Sequence, residues 1–69
     1  TQADFAVWDV VQSEGGNLWY VQGLRPDGGL KLYNGFTTSH VFENELYKVR
    51  RIGPAAFHEV KPYVWRQAT

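Results

Sequence analysis

Short apolar-rich runs separated by glycine-bearing breaks make up most of this chain, the pattern of an all-β protein with tight turns. Phe5 to Gln12 is apolar at both parities except at Asp9, which predicts a strand covered on both faces. Ser13-Glu14-Gly15-Gly16-Asn17 reads as a loop, and Leu18 to Leu24, rich in aromatic and branched side chains, as a second strand. Arg25-Pro26-Asp27-Gly28 has the chemistry of a type I turn closed by a glycine bulge: proline presets the first turn position and glycine accepts a left-handed conformation. Gly29 to Tyr33 is then a third strand, stopped by Asn34-Gly35, the strongest short hairpin signal. Phe36 to Phe42 is a fourth.

Turn types set register, and register sorts side chains onto faces. The bulged turn predicts Leu24 opposite Leu30, Gln22 opposite Leu32 and Val21 opposite Tyr33. A two-residue loop at Asn34-Gly35 predicts Tyr33 opposite Phe36 and Leu30 opposite Ser39, whereas a three-residue loop there shifts Phe36 to Phe42 by one and swaps their faces. In the first register Leu18, Tyr20, Leu24, Leu30, Leu32 and Val41 share one face, the natural core. The opposite face carries Trp19, Val21, Tyr33, Phe36 and Phe42, with Lys31, Thr38 and His40 among them. That second apolar face needs a cover of its own.

Beyond Phe42 the pattern changes. Glu43-Asn44-Glu45-Leu46-Tyr47 has the composition of one helical turn, and Lys48 to Ile52 resumes as a strand that stops at Gly53-Pro54. Over residues 5–52 the order is therefore four strands, a helical turn and a closing strand. This layout resembles that of an SH3-like small barrel of about five short antiparallel strands, a likeness of element order without any shared motif. The resemblance implies a barrel complete at about Ile52, with residues 53–69 added to it. The addition, Phe57 to Arg66, holds Pro62, which cannot donate to a ladder, and reads as an extended arm whose Phe57, Tyr63 and Trp65 pack on the barrel or on a partner subunit.

Composition narrows the function. Sixty-nine residues make one small domain near the lower limit for folding alone, and eleven aromatics are its means of burying enough surface. There is no cysteine, hence no disulfide framework and no thiolate chemistry, which fits a cytoplasmic protein. No apolar run approaches a membrane span, and the opening residues lack a signal-peptide pattern. Net charge is zero, but residues 1–45 hold six acidic against two basic side chains and residues 46–69 one against five. Such asymmetry suits head-to-tail contact or an acidic partner unless the halves interleave in the fold.

Candidate chemistry is sparse. His40 and Glu43 lie three apart, on opposite faces of a strand, and make a poor metal pair; Ser39 and His40 are likewise separated by alternation. The reading is a non-enzymatic binding module without cofactor or metal. Its partner-binding residues are Trp19, Val21, Tyr33, Phe36 and Phe42 with Phe57, Tyr63 and Trp65 of the arm, residue types that dominate interface hot spots. The partner is a protein or a second copy in a homo-oligomer, as a small subunit or adaptor of a larger assembly. The alternative is a nucleic-acid-binding small barrel in which Lys31, Lys48, Arg50 and Arg51 contact phosphates while aromatics stack bases, although zero net charge weighs against it.

Overall fold

The computed structural model describes residues 1–58 and Val60, and Tyr63 and Trp65 lie outside these. Five strands, β1 (Asp9–Gln12), β2 (Leu18–Leu24), β3 (Leu30–Tyr33), β4 (Thr38–Val41) and β5 (Arg50–Pro54), form one sheet in the order β4-β3-β2-β1-β5. Every neighbouring pair is antiparallel. Among the described residues no pairing joins β4 to β5, so the sheet is open, with these two as its edges. Among the described residues three 3-10 turns accompany the strands: η1 (Gln2–Asp4), η2 (Glu43–Lys48) and η3 (Ala55–Phe57). Among the described residues, no helix is long and apolar enough to cross a membrane.

The core lies on one side of the sheet. Val11, Val21, Leu30 and Leu32 from the strands meet Leu46 and Val49 from η2 and its exit, and Phe5, Trp19 and Val41 pack around them. Val21, Leu30 and Val11 are fully buried, each contributing roughly 1.5–3 kcal/mol. The helical turn expected at residues 43–47 thus serves as the lid of the core through Leu46.

The bulged turn forms as expected. Arg25 N–H donates to the Gly29 carbonyl at 2.9 Å, Gly28 N–H to that of Arg25 at 3.1 Å, and Gly28 takes φ 93°. Leu24 pairs with Leu30, and Gly23 with Lys31. There the expected register ends. A bulge leaves Gln22 without a partner, so Val21 faces Leu32 and Tyr20 faces Tyr33, each one residue from the sequence-based pairing. One slipped residue exchanges every side chain upstream of it between faces. Trp19 and Val21 therefore move to the core side, Tyr20 moves out, and polar Gln22 beside flexible Gly23 absorbs the kink.

The second hairpin is displaced by its side-chain chemistry. Asn34 Oδ1 accepts from Phe36 N–H at 2.9 Å and Thr37 N–H at 2.8 Å, while Asn34 N–H donates to the Thr37 carbonyl at 3.2 Å. The two loop residues are consequently Gly35, at φ 90°, and Phe36, not Asn34 and Gly35. Tyr33 pairs with Thr38 and Leu30 with Val41, two residues from the expected pairing, which preserves the face of each β4 side chain. Phe36 becomes a loop tip.

Two strand boundaries also move. The first strand starts only at Asp9, because Ala6 to Asp9 form a turn in which Asp9 N–H donates to the Ala6 carbonyl at 3.0 Å. The last strand runs through Gly53 and Pro54, which pair with Val10 and Asp9, so the expected connector after Ile52 is divided between β5 and η3.

Gly29 marks the tightest approach of the two hairpins. A Cβ built there would stand 2.2 Å from the Val41 carbonyl oxygen and 3.2 Å from the Phe42 Cα, both backbone atoms that cannot swing aside. At Gly23 the same atom would meet nothing within 4 Å. Gly29→Ala is expected to cost about 3 kcal/mol and to lower the melting temperature accordingly, and Gly23→Ala less than about 1 kcal/mol. Equal losses in thermal melts would refute this packing.

Candidate functional site

The face away from the core is ordered in lateral rows. Gly53, Val10, Tyr20, Tyr33 and Thr38 stand opposite one another across all five strands, and Gly23, Lys31 and His40 form the next row across β2, β3 and β4. Trp8 joins this side by setting its ring edge-on to Tyr20, with centroids 5.8 Å apart and planes at 70°. Its φ of 70° is a left-handed conformation at the third position of a turn, where glycine or asparagine is usual. Two bonds hold it there: Trp8 N–H to the Val21 carbonyl at 2.7 Å and Ala55 N–H to the Trp8 carbonyl at 2.9 Å. A bulky residue kept in a strained conformation and half exposed is a feature that binding sites often show.

The chain covers one end of this face itself. A Cβ on Gly53 would lie 2.6 Å from His58 Nε2, so His58 sits directly over β5. Val60 is buried, and its N–H donates to Tyr20 Oη at 3.3 Å. His58 and Val60 thus lie over Gly53 and Tyr20, at the end of the row that spans β5, β1 and β2. Toward β4 lie Lys31 and His40, both exposed, and half-buried Tyr33, with open space above Gly23.

Arg25 closes the far corner. Its Nε and one terminal nitrogen reach Asp27 at 3.1 and 2.9 Å, its other terminal nitrogen contacts His40 Nδ1, and its guanidinium carbon stands 5.2 Å from the centre of the Phe42 ring. The Asp27 carboxyl is held below its ordinary range by Arg25, with the Gly29 N–H adding to the effect. The corner is aromatic, and Asp27 offsets the charge of Arg25 there.

The sequence-predicted partner residues do not form one patch. Trp19 packs on the core and Val21 is fully buried, so Val21 has no surface to offer. Tyr33 lies on the outer face, Phe42 beneath Arg25, Phe36 at the hairpin tip and Phe57 on η3, where it is 80% exposed and so covers nothing. Trp8, Tyr20 and Arg25 belong to the outer face and were not anticipated. The basic set is scattered as well. Lys31 is on the outer face, Lys48 pairs with Glu45 at 3.4 Å, Arg50 donates to Gln12 Oε1 at 2.8 Å, and Arg51 holds Asp9 at 2.8 Å.

Among the described residues, two shallow grooves hold polar side chains. One of about 220 Å³ is lined by Ser13, Glu14, His40, Val41, Lys48 and Val49; the Ser13 hydroxyl donates to the Asn17 carbonyl at 3.3 Å, not to a base. The other, about 370 Å³, lies between η1 and η2 over Phe5, Leu46 and Val49 with Asp4 and Glu43 at its rim. Among the described residues, no group of three or more histidine, cysteine or acidic side chains is placed to hold a metal ion. No family model, no curated protein and no solved structure matches this chain.

Arg51 is better understood as a bolt than as a phosphate contact. Asp9 is buried, accepting from Arg51 Nε and from the Ala6 N–H at 2.9 Å, and so ties β1 to β5 across the sheet edge. The Arg51 hydrogen bond holds the Asp9 carboxyl below its usual range; burial opposes this and the Ala6 N–H reinforces it. A depressed folded-state pKa gives stability that is present above the unfolded value, about 3.9, and is lost as pH falls through the folded one. Asp9→Asn should therefore flatten the acid limb of the stability–pH curve below about pH 4.5 and cost about 1 kcal/mol at pH 7. An unchanged acid limb in urea titrations would exclude the pair as its source.

Proposed function

We propose that this chain is a non-enzymatic protein-binding module, an SH3-like small barrel in layout, whose docking surface is the outer face around Trp8, Tyr20, Tyr33 and Lys31. The strand order, with a 3-10 turn between β4 and β5, supports the layout. One observation carries the function: Trp8, 53% exposed and held at φ 70°, sets its ring edge-on to Tyr20 on the outer face that also carries Tyr33 and exposed Lys31. Scattered exposed apolar side chains are ordinary on a small protein, whereas an aromatic held half exposed at a backbone strain of about 1–3 kcal/mol is typical of functional sites. Tryptophan and tyrosine are also the residue types that anchor protein interfaces.

Nucleic acid is the less favoured partner, because Arg51 and Lys48 are engaged by carboxylates and Lys31 stands two strands away from β1, on which Arg50 and Arg51 are paired. Peptides selected from a random display library against the immobilised chain test the reading. Their affinity should fall at least tenfold on Tyr33→Ser and on Trp8→Gly. Trp8→Gly relieves about 1–2 kcal/mol of backbone strain and forfeits about 1 kcal/mol of aromatic contact, so its melt should stay close to the parent's. Binders indifferent to both changes would remove the outer face as the docking surface. Saturable oligonucleotide binding that weakens steeply between 50 and 200 mM salt and is lost on Arg50→Ala with Arg51→Ala would replace the reading with nucleic-acid recognition.

A further inference from the structure

The two edges of the sheet are finished differently. β5 carries a register shift against β1, two exposed arginines and a terminal proline, all features that block pairing with another strand. β4 has none of these. Its sequence Thr-Ser-His-Val holds no Lys, Arg, Asp, Glu or Pro, and its register with β3 is continuous from Tyr33–Thr38 to Leu30–Val41.

The hairpin turn sets which backbone groups of β4 remain free. Because Asn34 N–H donates to the Thr37 carbonyl, Asn34 and Thr37 are a hydrogen-bonded pair, and alternation makes Leu32–Ser39 and Leu30–Val41 hydrogen-bonded pairs too. Ser39 and Val41 thus point their N–H and C=O groups at β3. Thr38 and His40 point theirs out of the sheet, and among the described residues no strand pairs with them.

This edge is complementary to itself. A second β4 laid antiparallel with Ser39 on the two-fold axis sets Thr38 against His40 of the other copy, joining their four free backbone groups, with no like charges in contact. The same antiparallel alignment brings the hairpin tip of each copy, with position 36 in its loop, alongside position 42 just past the end of the other copy's β4. Those positions are Phe36 and Phe42, 76% and 50% exposed, and Phe42 continues the extended backbone of β4 at φ −80°, ψ 159°. A four-residue ladder alone is short for a stable interface, and two flanking aromatic pairs supply the apolar area it lacks.

We propose that β4 is a homodimer edge: two copies of this chain join their sheets by antiparallel β4–β4 pairing centred on Ser39, with Phe36 of each copy packed against Phe42 of the other. This names one partner for the protein-binding reading but uses a different surface, so the two fail separately. The blunted β5 edge ends the assembly at two copies.

The chain has no cysteine, so a single Ser39→Cys reports only bonds between copies. At the two-fold the two positions form a non-hydrogen-bonded pair with Cα atoms about 4.5 Å apart, within disulfide range. Mild oxidation of Ser39→Cys at low micromolar concentration should cross-link nearly all of the protein, and Gly23→Cys, away from the edge, should not. Light scattering of the unaltered chain should give twice its 7.9 kDa. Phe36→Lys or Phe42→Glu alone should raise the dimer dissociation constant at least tenfold, and the two together in one chain should restore it. A monomer at millimolar concentration, equal cross-linking of the two cysteine variants, or no rescue in the double variant would each overturn the proposal. If peptide binding at Tyr33 and Trp8 persists in that case, the protein-binding reading stands without the dimer.

Discussion

The bulge at Gln22 is the constraint on which the remaining architecture depends, because a strand that keeps strict alternation from Leu18 to Leu24 cannot satisfy both of its neighbours. Near the turn, β2 is committed by the Pro-Asp-Gly chemistry to pair Leu24 with Leu30. Farther on, it must bring Val21 and Trp19 toward Val11, Leu30 and Leu32 to make a core of useful size. One unpaired residue reconciles the two demands. It also puts Tyr20 on the opposite side, where it receives the Trp8 ring and the Val60 N–H, so the interior and the outer face are set by the same kink.

The two ends of the sheet solve different problems. At the β1–β5 end, the buried Asp9 carboxylate, the Arg51 guanidinium and the close seat of His58 on Gly53 hold a strand that is remote in sequence. At the β3–β4 end the pairing is local and needs no such bolt. The side chains there are instead aromatic, basic and accessible. The Asp9–Arg51 ion pair sits at one end of the sheet and exposed aromatic and basic side chains at the other, the division that the proposed docking role would use.

Much of this was legible in the residues. All five strands, though not all their bounds, the bulged turn at Arg25–Gly29, the one-turn helix carrying Leu46 and the central leucines follow from alternation and turn chemistry. What escaped was register. Gly23 inside Leu-Trp-Tyr-Val-Gln-Gly-Leu is a local sign of a bulge, but which residue is left over depends on what Val11 and Leu32 present from other strands. The second hairpin slipped for a local reason: Asn34 used its side chain as an acceptor for two following N–H groups, which moves the loop one residue along. A Pro-free, glycine-free turn at Trp8 has no sequence signature at all. The Gln22 slip replaced Trp19 and Val21 by Tyr20 on the outer face, the loop shift carried Phe36 to the hairpin tip, the turn before β1 added Trp8, and the arm contributed His58 and Val60 among the described residues where Phe57 was expected.

The distance in sequence between Asp9 and Arg51, 42 residues, has a consequence in time. As the chain leaves the ribosome, β1 to β4 emerge as a local meander able to pair strand by strand. Until Pro54 has been made, β1 is an outer strand, and Val10 and Val11, both inaccessible in the finished protein, stand at a raw margin of the nascent sheet. The most hidden strand of the mature fold is the most vulnerable one during synthesis, and β5, made after the other four strands, is what shelters it.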